Sequence, residues 1–305
     1  MQNQFYPYHP WLIAFVISKE TTIPFCTFSI LALQLNLLAN TQHLQHFYKK
    51  IRNNKMTKIA LITGATSGIG KATAIKLAEN GYDLIICGRR AEKLEELKNL
   101  VSKTVKIHTL QFDVRNRNEV ETQINSLPNE WKNIDVLVNS AGNAHGLSTI
   151  DTGDIEDWDA MIDGNVKGLL YVSKAIIPQM VERKKGHIIN LSSVAGKQTY
   201  ANGAVYCASK KAVEAISEGM RLDLTQHGIK ITNIAPGAVA TEFSEVRFKG
   251  DKERAQKVYE GFDPLLAEDI ADFISYAVNA PNRVTIADVT IYAKAQSAPS
   301  IIYKK

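Results

Sequence analysis

The sequence predicts an α/β fold, a single doubly wound parallel sheet with helices on both faces. Two observations carry that expectation. Short apolar runs at 59–63, 83–87, 134–138 and 186–192 alternate with stretches of helical period. Such alternation gives parallel strands joined by right-handed crossovers. The polar and glycine-rich motifs of the chain follow directly on those runs, at the carboxyl ends of strands where open α/β sheets bind ligands.

The first run leads into Gly64-Ala65-Thr66-Ser67-Gly68-Ile69-Gly70 and then a helical pattern over 71–80, closed by Gly81. Strand, glycine turn and helix form the context in which a glycine motif binds a dinucleotide. Gly64 permits the tight turn, Gly68 the approach of the pyrophosphate, and Gly70 the packing of helix on strand. The helix amides then face the phosphates. The spacing only approximates the general fingerprint, and by itself it also fits a plain turn.

The second run ends in Arg89 and Arg90, ahead of a helix over 91–101. An acidic residue at this strand end would bond the ribose hydroxyls of NAD, whereas a basic one accommodates the 2′-phosphate. The expected cofactor is therefore NADP. A third strand over 104–112 places Asp113 and Val114 against the adenine, and the fourth ends at Asn139-Ser140-Ala141-Gly142.

Beyond lies a long helix over 158–183 that contains Asn165. A fifth strand ends in Ser192 and Ser193. A helix over 204–227 carries Tyr206 and Lys210, and a sixth strand over 229–234 is followed by Pro236, Gly237, Val239 and Thr241. Tyr206 and Lys210 stand four apart and so share a helix face. A free phenol titrates near ~10 and is a poor acid or base at neutral pH; a neighbouring ammonium favours the phenolate.

Composition is consistent with this reading. The 305 residues are 45% apolar and 22% charged, with a net charge of +5 spread along the chain, which does not indicate nucleic acid. Cys26, Cys87 and Cys207 are few and far apart, and suit a reducing, cytoplasmic setting. The His, Asp and Glu residues show no ligand spacing, so no metal is expected.

Residues 1–55 do not share the strand and helix alternation and are expected to lie outside the fold, which spans 56–305. Residues 21–44 carry no Asp, Glu, Lys or Arg, and Lys49, Lys50, Arg52 and Lys55 follow. A membrane-associating segment, a disordered tail, and a start codon that belongs at Met56 all fit. Without a membrane segment there, no membrane partner is expected.

Taken together, the Thr63 to Gly70 turn, Asn139-x-Ala-Gly142, Asn165, Ser193, Tyr206-x-x-x-Lys210 and Pro236-Gly237 resemble the short-chain dehydrogenase/reductase family, from about residue 57 to the C-terminus. The resemblance implies a Rossmann fold and an oxidoreductase. It makes Tyr206 the general acid/base and Lys210 the group that lowers its pKa and bonds the nicotinamide ribose. Ser193 then polarises the substrate oxygen, with Ser192 a less apt neighbour, and Asn165 holds a relay water. Residues 236–241 touch the nicotinamide end. Ser140 departs from the family's frequent second Asn, which implies a local change of hydrogen bonding.

Residues 241–251, with 161–163 and 178–183, are similar to the branch of NADP-dependent 3-hydroxy acid dehydrogenases acting on serine, 3-hydroxypropionate and related small acids. Such a substrate needs a cation, and Arg247 suits a carboxylate because its fork can bind both oxygens; a structural salt bridge is the other reading of that residue. Rivals are a general carbonyl or 3-oxoacyl-thioester reductase, a non-enzymatic NADP(H)-sensing protein, and a membrane-bound reductase of a lipid-like ketone. Apolar positions at Leu169, Leu170, Val172, Ile176, Ala212, Val213 and Ile216 exceed one core face and lead us to expect a homodimer or homotetramer. The stretch 291–305 is not helical in pattern and is a candidate to cross onto a neighbouring subunit.

Overall fold

The structure is a computed structural model and describes residues 57–305. The expected extension at 1–55 and the start at Met56 lie outside the described residues. The chain runs β1 (Ile59–Ile62), α1 (Gly68–Glu79), β2 (Asp83–Gly88), α2 (Ala91–Val101), β3 (Ile107–Gln111), α3 (Arg117–Asn125) and β4 (Ile134–Asn139). There follow α4 (Ile155–Ile162), a π-helical turn (Asp163–Lys167), α5 (Gly168–Arg183), β5 (Gly186–Leu191), α6 (Val194–Lys197), α7 (Ala204–Leu224) and β6 (Ile229–Pro236). The last part comprises β7 (Val239–Ala240), α8 (Phe243–Arg247), α9 (Lys252–Lys257), β8 (Leu265–Leu266), α10 (Ala267–Asn279), β9 (Asp288–Ile291), β10 (Gln296–Ala298) and β11 (Ile301–Ile302).

Seven strands pair in the order β3-β2-β1-β4-β5-β6-β9, each neighbour parallel. Strand side chains alternate across the sheet, and every second residue feeds one of two cores. Ala60, Ile62, Leu84, Ile86, Val136 and Val138 pack with Leu77 of α1, Leu97 of α2 and Ile270 and Ile274 of α10. Ile59, Leu61, Ile85, Leu137 and Ile188 face the other way, onto Val120 of α3, Val172, Ile176 and Met180 of α5, and Leu224 of α7. The chain reverses its winding between β1 and β4, and the carboxyl ends of these strands frame a crevice. No helix among the described residues is long and apolar enough to cross a membrane.

Two expectations are corrected. The helix over 158–183 is broken into α4 and α5 by the π-helical turn that carries Asn165 between Gly164 and Gly168. Such a turn inserts a residue into the ladder and re-aims the side chain it bears. Leu169, Val172, Ile176 and Val213 are not surplus apolar surface: each is buried in this chain, and of that set only Leu170 is strongly exposed. Within 291–305, β10 and β11 form a small antiparallel hairpin and the amide of Lys305 donates to the carbonyl of Gly261.

Leu137 is 0% exposed at the centre of the sheet. Leu137→Ala is expected to lower the unfolding free energy by about 2–5 kcal/mol, the range for a buried leucine that leaves a cavity. Urea denaturation followed by circular dichroism checks this.

Candidate active site

The turn between β1 and α1 is held open by glycines. Gly64 and Gly68 have φ of 66° and 50°, left-handed values that disfavour other residues. A Cβ on Gly64 would lie 2.9 Å from the backbone of Ala141, and one on Gly70 would collide with the Gly64 carbonyl. The turn therefore sits directly against the loop after β4. Thr63 fixes that contact: its hydroxyl accepts from the amides of Ser140 and Ala141, both at 3.1 Å. The bond to position 140 is made to its backbone, so the Ser140 departure leaves it intact.

A cleft of about 600 Å³ starts at this turn and crosses the carboxyl ends of the strands. It is lined by Gly64, Thr66, Ser67, Gly68, Ile69 and Gly70, by Arg89, Arg90, Asp113 and Val114, and by Ala141 and Gly142. Ser193, Tyr206, Lys210, Pro236, Gly237, Val239, Thr241 and Arg247 line its other end. Of the expected cofactor contacts, Ala65 and Asn139 are not in the wall. Ala65 is buried in the core behind the turn. Asn139 is turned into the structure, where its amide donates to Ser173 and Asn190. The reason is strand alternation, which sends the last side chain of β4 away from the crevice.

The arginines differ. Arg90 donates to the carbonyl and hydroxyl of Thr66 at 3.3 and 3.1 Å and pairs with Glu242 at 3.0 Å. Arg89 is largely exposed, 3.8 Å from Asp113. Burial works against the Asp113 carboxylate, but hydrogen bonds from Arg115 and the charges of Arg115 and Arg89 hold it below its usual range.

At the other end α7 delivers Tyr206 and Lys210 on its buried face, 8% and 6% exposed. The Lys210 ammonium donates to the carbonyl of Leu191 at 3.0 Å and lies 6.0 Å from the centre of the Tyr206 ring. Burial pushes it down to about 8, opposed by the charge of Glu214. The phenol is driven the other way. Burial, then the neighbouring Tyr200, raises Tyr206, while Arg247 and a hydrogen bond with Ser193 pull it back. Two cations thus stand by the phenol ring: Lys210, whose ammonium reaches on to β5, and Arg247, 5.1 Å over the ring centre.

Ser193 caps α6, accepting from the amide of Ala195 at 3.1 Å. Ser192 is fully engaged elsewhere, its hydroxyl donating to the Lys210 carbonyl at 3.2 Å, which separates the two adjacent serines. Asn165 does not reach the cleft. Its amide accepts from the backbone N–H of Asn143 and donates to that residue's carbonyl, both at 2.8 Å, and donates to Ser209 at 3.0 Å. It thus clamps the loop after β4 to α7 at the level of Tyr206, whose carbonyl accepts from Ser209 at 2.7 Å. Both of the donor bonds of its amide are made within the protein.

Two contributors escaped the sequence reading. Tyr200, in the turn before α7, accepts from Arg247 at 2.7 Å. Gln296, in the C-terminal hairpin, accepts from the amide of Ala238 at 2.8 Å and holds the loop after β6. Neither lies in a periodic segment or a motif, and only long-range contacts reveal them.

A model of short chain dehydrogenases matches residues 58–252. The chain belongs to the short-chain dehydrogenase family. It is 46% identical over 240 residues to the NADP-dependent 3-hydroxy acid dehydrogenase YdfG of Salmonella typhi, covering 78% of this chain and 96% of that protein. It is 41% identical to sulfoacetaldehyde reductase 2 of Chromohalobacter salexigens, over 76% of this chain and 92% of the relative. Among solved structures, the closed form of serine dehydrogenase complexed with NADP+ matches with a TM-score of 0.76 at 42% identity, covering 81% of this chain and 99% of that one.

The position of Lys210 has a consequence for stability. Unfolded, it keeps its proton up to 10.5; folded, only to about 8. Between those values unfolding takes up a proton, so stability rises with pH, and below pH 8 the buried ammonium is a standing cost of about 3 kcal/mol. Replacing it leaves the Leu191 carbonyl unpaired, which returns about 1 kcal/mol. Lys210→Met should therefore stabilise the fold by ~2 kcal/mol at pH 7 and progressively less toward pH 10, as read by chemical denaturation at a series of pH values.

Proposed function

We propose that this dehydrogenase moves a hydride between NADP(H) and a small 3-hydroxy acid such as serine or 3-hydroxypropionate, with malonic semialdehyde the substrate in reduction. The observation that carries the substrate class is Arg247. None of the ion pairs among the described residues involves it, its buried Nε has no hydrogen-bond partner, and its guanidinium lies 5.1 Å from the Tyr206 ring in the wall of the cleft. A cation placed next to an acid/base group and lacking a carboxylate is suited to an anionic substrate, and Arg binds a carboxylate through two bonds. The relatives' names support this. A 3-hydroxy acid and sulfoacetaldehyde both carry an anion one carbon away from the reacting carbon.

The cleft fits the cofactor. The left-handed Gly64 and Gly68 let the turn pass close against Ala141 and Thr241, and the first amides of α1, which follow that turn, suit a pyrophosphate. Arg89 and Arg90 would take the 2′-phosphate, with Asp113 and Val114 at the adenine. Ala141, Gly142, Pro236, Gly237, Val239 and Thr241 would line the path to the nicotinamide, and Lys210 would bond its ribose. When bound, NADP(H) supplies the hydride acceptor or donor and, when oxidised, a positive charge near the phenol.

The chain's own groups handle the proton. In reduction Tyr206, whose burial keeps it protonated, is well suited to donate to the developing alkoxide. Ser193 supplies the second hydrogen bond to that oxygen. In oxidation the phenol must act as a base, which needs positive charge nearby; Arg247 and Lys210 supply part of it. Asn165 and Ser209 hold the tyrosine backbone in place. Arg247 sets the acid's orientation, so that its hydroxyl and not its carboxylate meets Tyr206.

A panel of small 3-hydroxy acids, uncharged alcohols and an acyl-thioester, each with NADP+ or NADPH, tests the reading by absorbance of the reduced nicotinamide. The expected result is turnover of the hydroxy acids, with NADP+ preferred over NAD+. Arg247→Ala should raise KM for those acids roughly tenfold or more and leave uncharged alcohols unchanged. An equal effect on both would remove the carboxylate role. Tyr206→Phe should cut kcat by roughly 10²–10⁴.

A further inference from the structure

Tyr200 stands in the turn between α6 and α7 and lines the cleft together with Arg247. A Cβ on Gly203 would run into its ring, so the glycine just before α7 is what lets the tyrosine lie against the start of that helix. Its hydroxyl accepts from Nη2 of Arg247 at 2.7 Å. A hydroxyl that accepts one bond still has its own proton to give. Among the described residues no group takes that proton. A backbone carbonyl or a carboxylate would steady the guanidinium equally well; a hydroxyl can accept from it and still donate.

The guanidinium beside it is closely placed. Its centre lies 5.1 Å from the Tyr206 ring, 5.6 Å from Phe243 and 6.0 Å from Tyr200 itself. The Phe243 and Tyr206 rings are 5.7 Å apart. A cation within about 6 Å of a ring is attracted to its face, and rings in place of water strengthen the hydrogen bonds made there. The backbone is held as well, since the Arg247 carbonyl accepts from the amide of Gly146 at 2.9 Å. That bond ties α8 to the loop after β4.

We propose that Tyr200 is a substrate-binding residue: its hydroxyl, held by Arg247, donates to the anionic group of the substrate, which is thereby bound by a neutral donor and a cation together. Hydrogen bonds to an ionised acceptor are the strong ones. Burial, against the pull of Arg247, raises Tyr200 above its ordinary range, so the phenol keeps the proton it gives. A neutral substrate would leave both donors without an acceptor, and a site built in this way discriminates against it. The inference rests on the reading of Arg247 as the group that takes the carboxylate.

The test uses 3-hydroxypropionate with the NADPH-bound enzyme, a pair in which both partners are reduced and no hydride can move. Its dissociation constant is read by calorimetry. Tyr200→Phe is expected to weaken this binding roughly ten- to a hundredfold, the loss of one bond to a charged group, while NADPH binding, read by its fluorescence, is unchanged. Should the phenylalanine variant not fold, Tyr200→Leu also removes the hydroxyl and carries the same expectation. A crystal structure of the wild-type complex should place a carboxylate oxygen about 2.5–3.0 Å from Oη of Tyr200. An unchanged dissociation constant in the variants overturns the proposal, as does a carboxylate held by Arg247 alone. A wild type that binds 3-hydroxypropionate no better than 1,3-propanediol sinks the carboxylate reading of Arg247, and this inference with it. A preference for the acid that survives the loss of the hydroxyl sinks only the role of Tyr200.

Discussion

Lys210 reaches from the second turn of α7 to the carbonyl of Leu191 at the end of β5, a bond of 3.0 Å in a place almost closed to water. That bond joins the helix bearing Tyr206 to the strand that leads into Ser193, so the two hydroxyls share one rigid frame. An ammonium without water is held there against its own desolvation. The neighbouring polar groups make sense as its supports. Ser192 binds the Lys210 carbonyl, and Asn165 and Ser209 hold the turn that carries Tyr206.

Sequence spacing brought Lys210 and Tyr206 together as a pair in which the amine acts on the phenol. In the folded chain they are neighbours with different partners. Arg247 stands over the phenol ring, the Leu191 carbonyl holds the amine, and burial moves the two groups in opposite directions. Arg247 and Ser193 both line the cleft, while the Lys210 ammonium is fastened to the end of β5. Arg247 stands in the cleft wall beside Tyr206 because α8 lines the cleft and Tyr200 fixes its guanidinium.

The arrangement also explains why the C-terminal strands matter to a site built from motifs far upstream. Asp288 on β9 holds Lys197, Gln296 on β10 holds the amide of Ala238, and Gly237 donates to the carbonyl of Ile291 at 2.7 Å. The loop after β6, read as touching the nicotinamide end, therefore rests on the last part of the chain.

The order of strands and helices, the glycine turn, the arginines after β2 and the Ser193, Tyr206 and Lys210 set were legible in the sequence. Each rests on local rules: the apolar period of an element, the φ that only glycine adopts freely, the four-residue spacing of a helix face. The π-helical turn at Asn165, the inward course of Asn139, the Tyr200–Arg247 bond and the Lys197, Glu214 and Asp288 cluster were decided only by the tertiary structure. They join residues distant in the chain, and nothing in a local pattern fixes which polar groups will share a buried space once the helices close on the sheet.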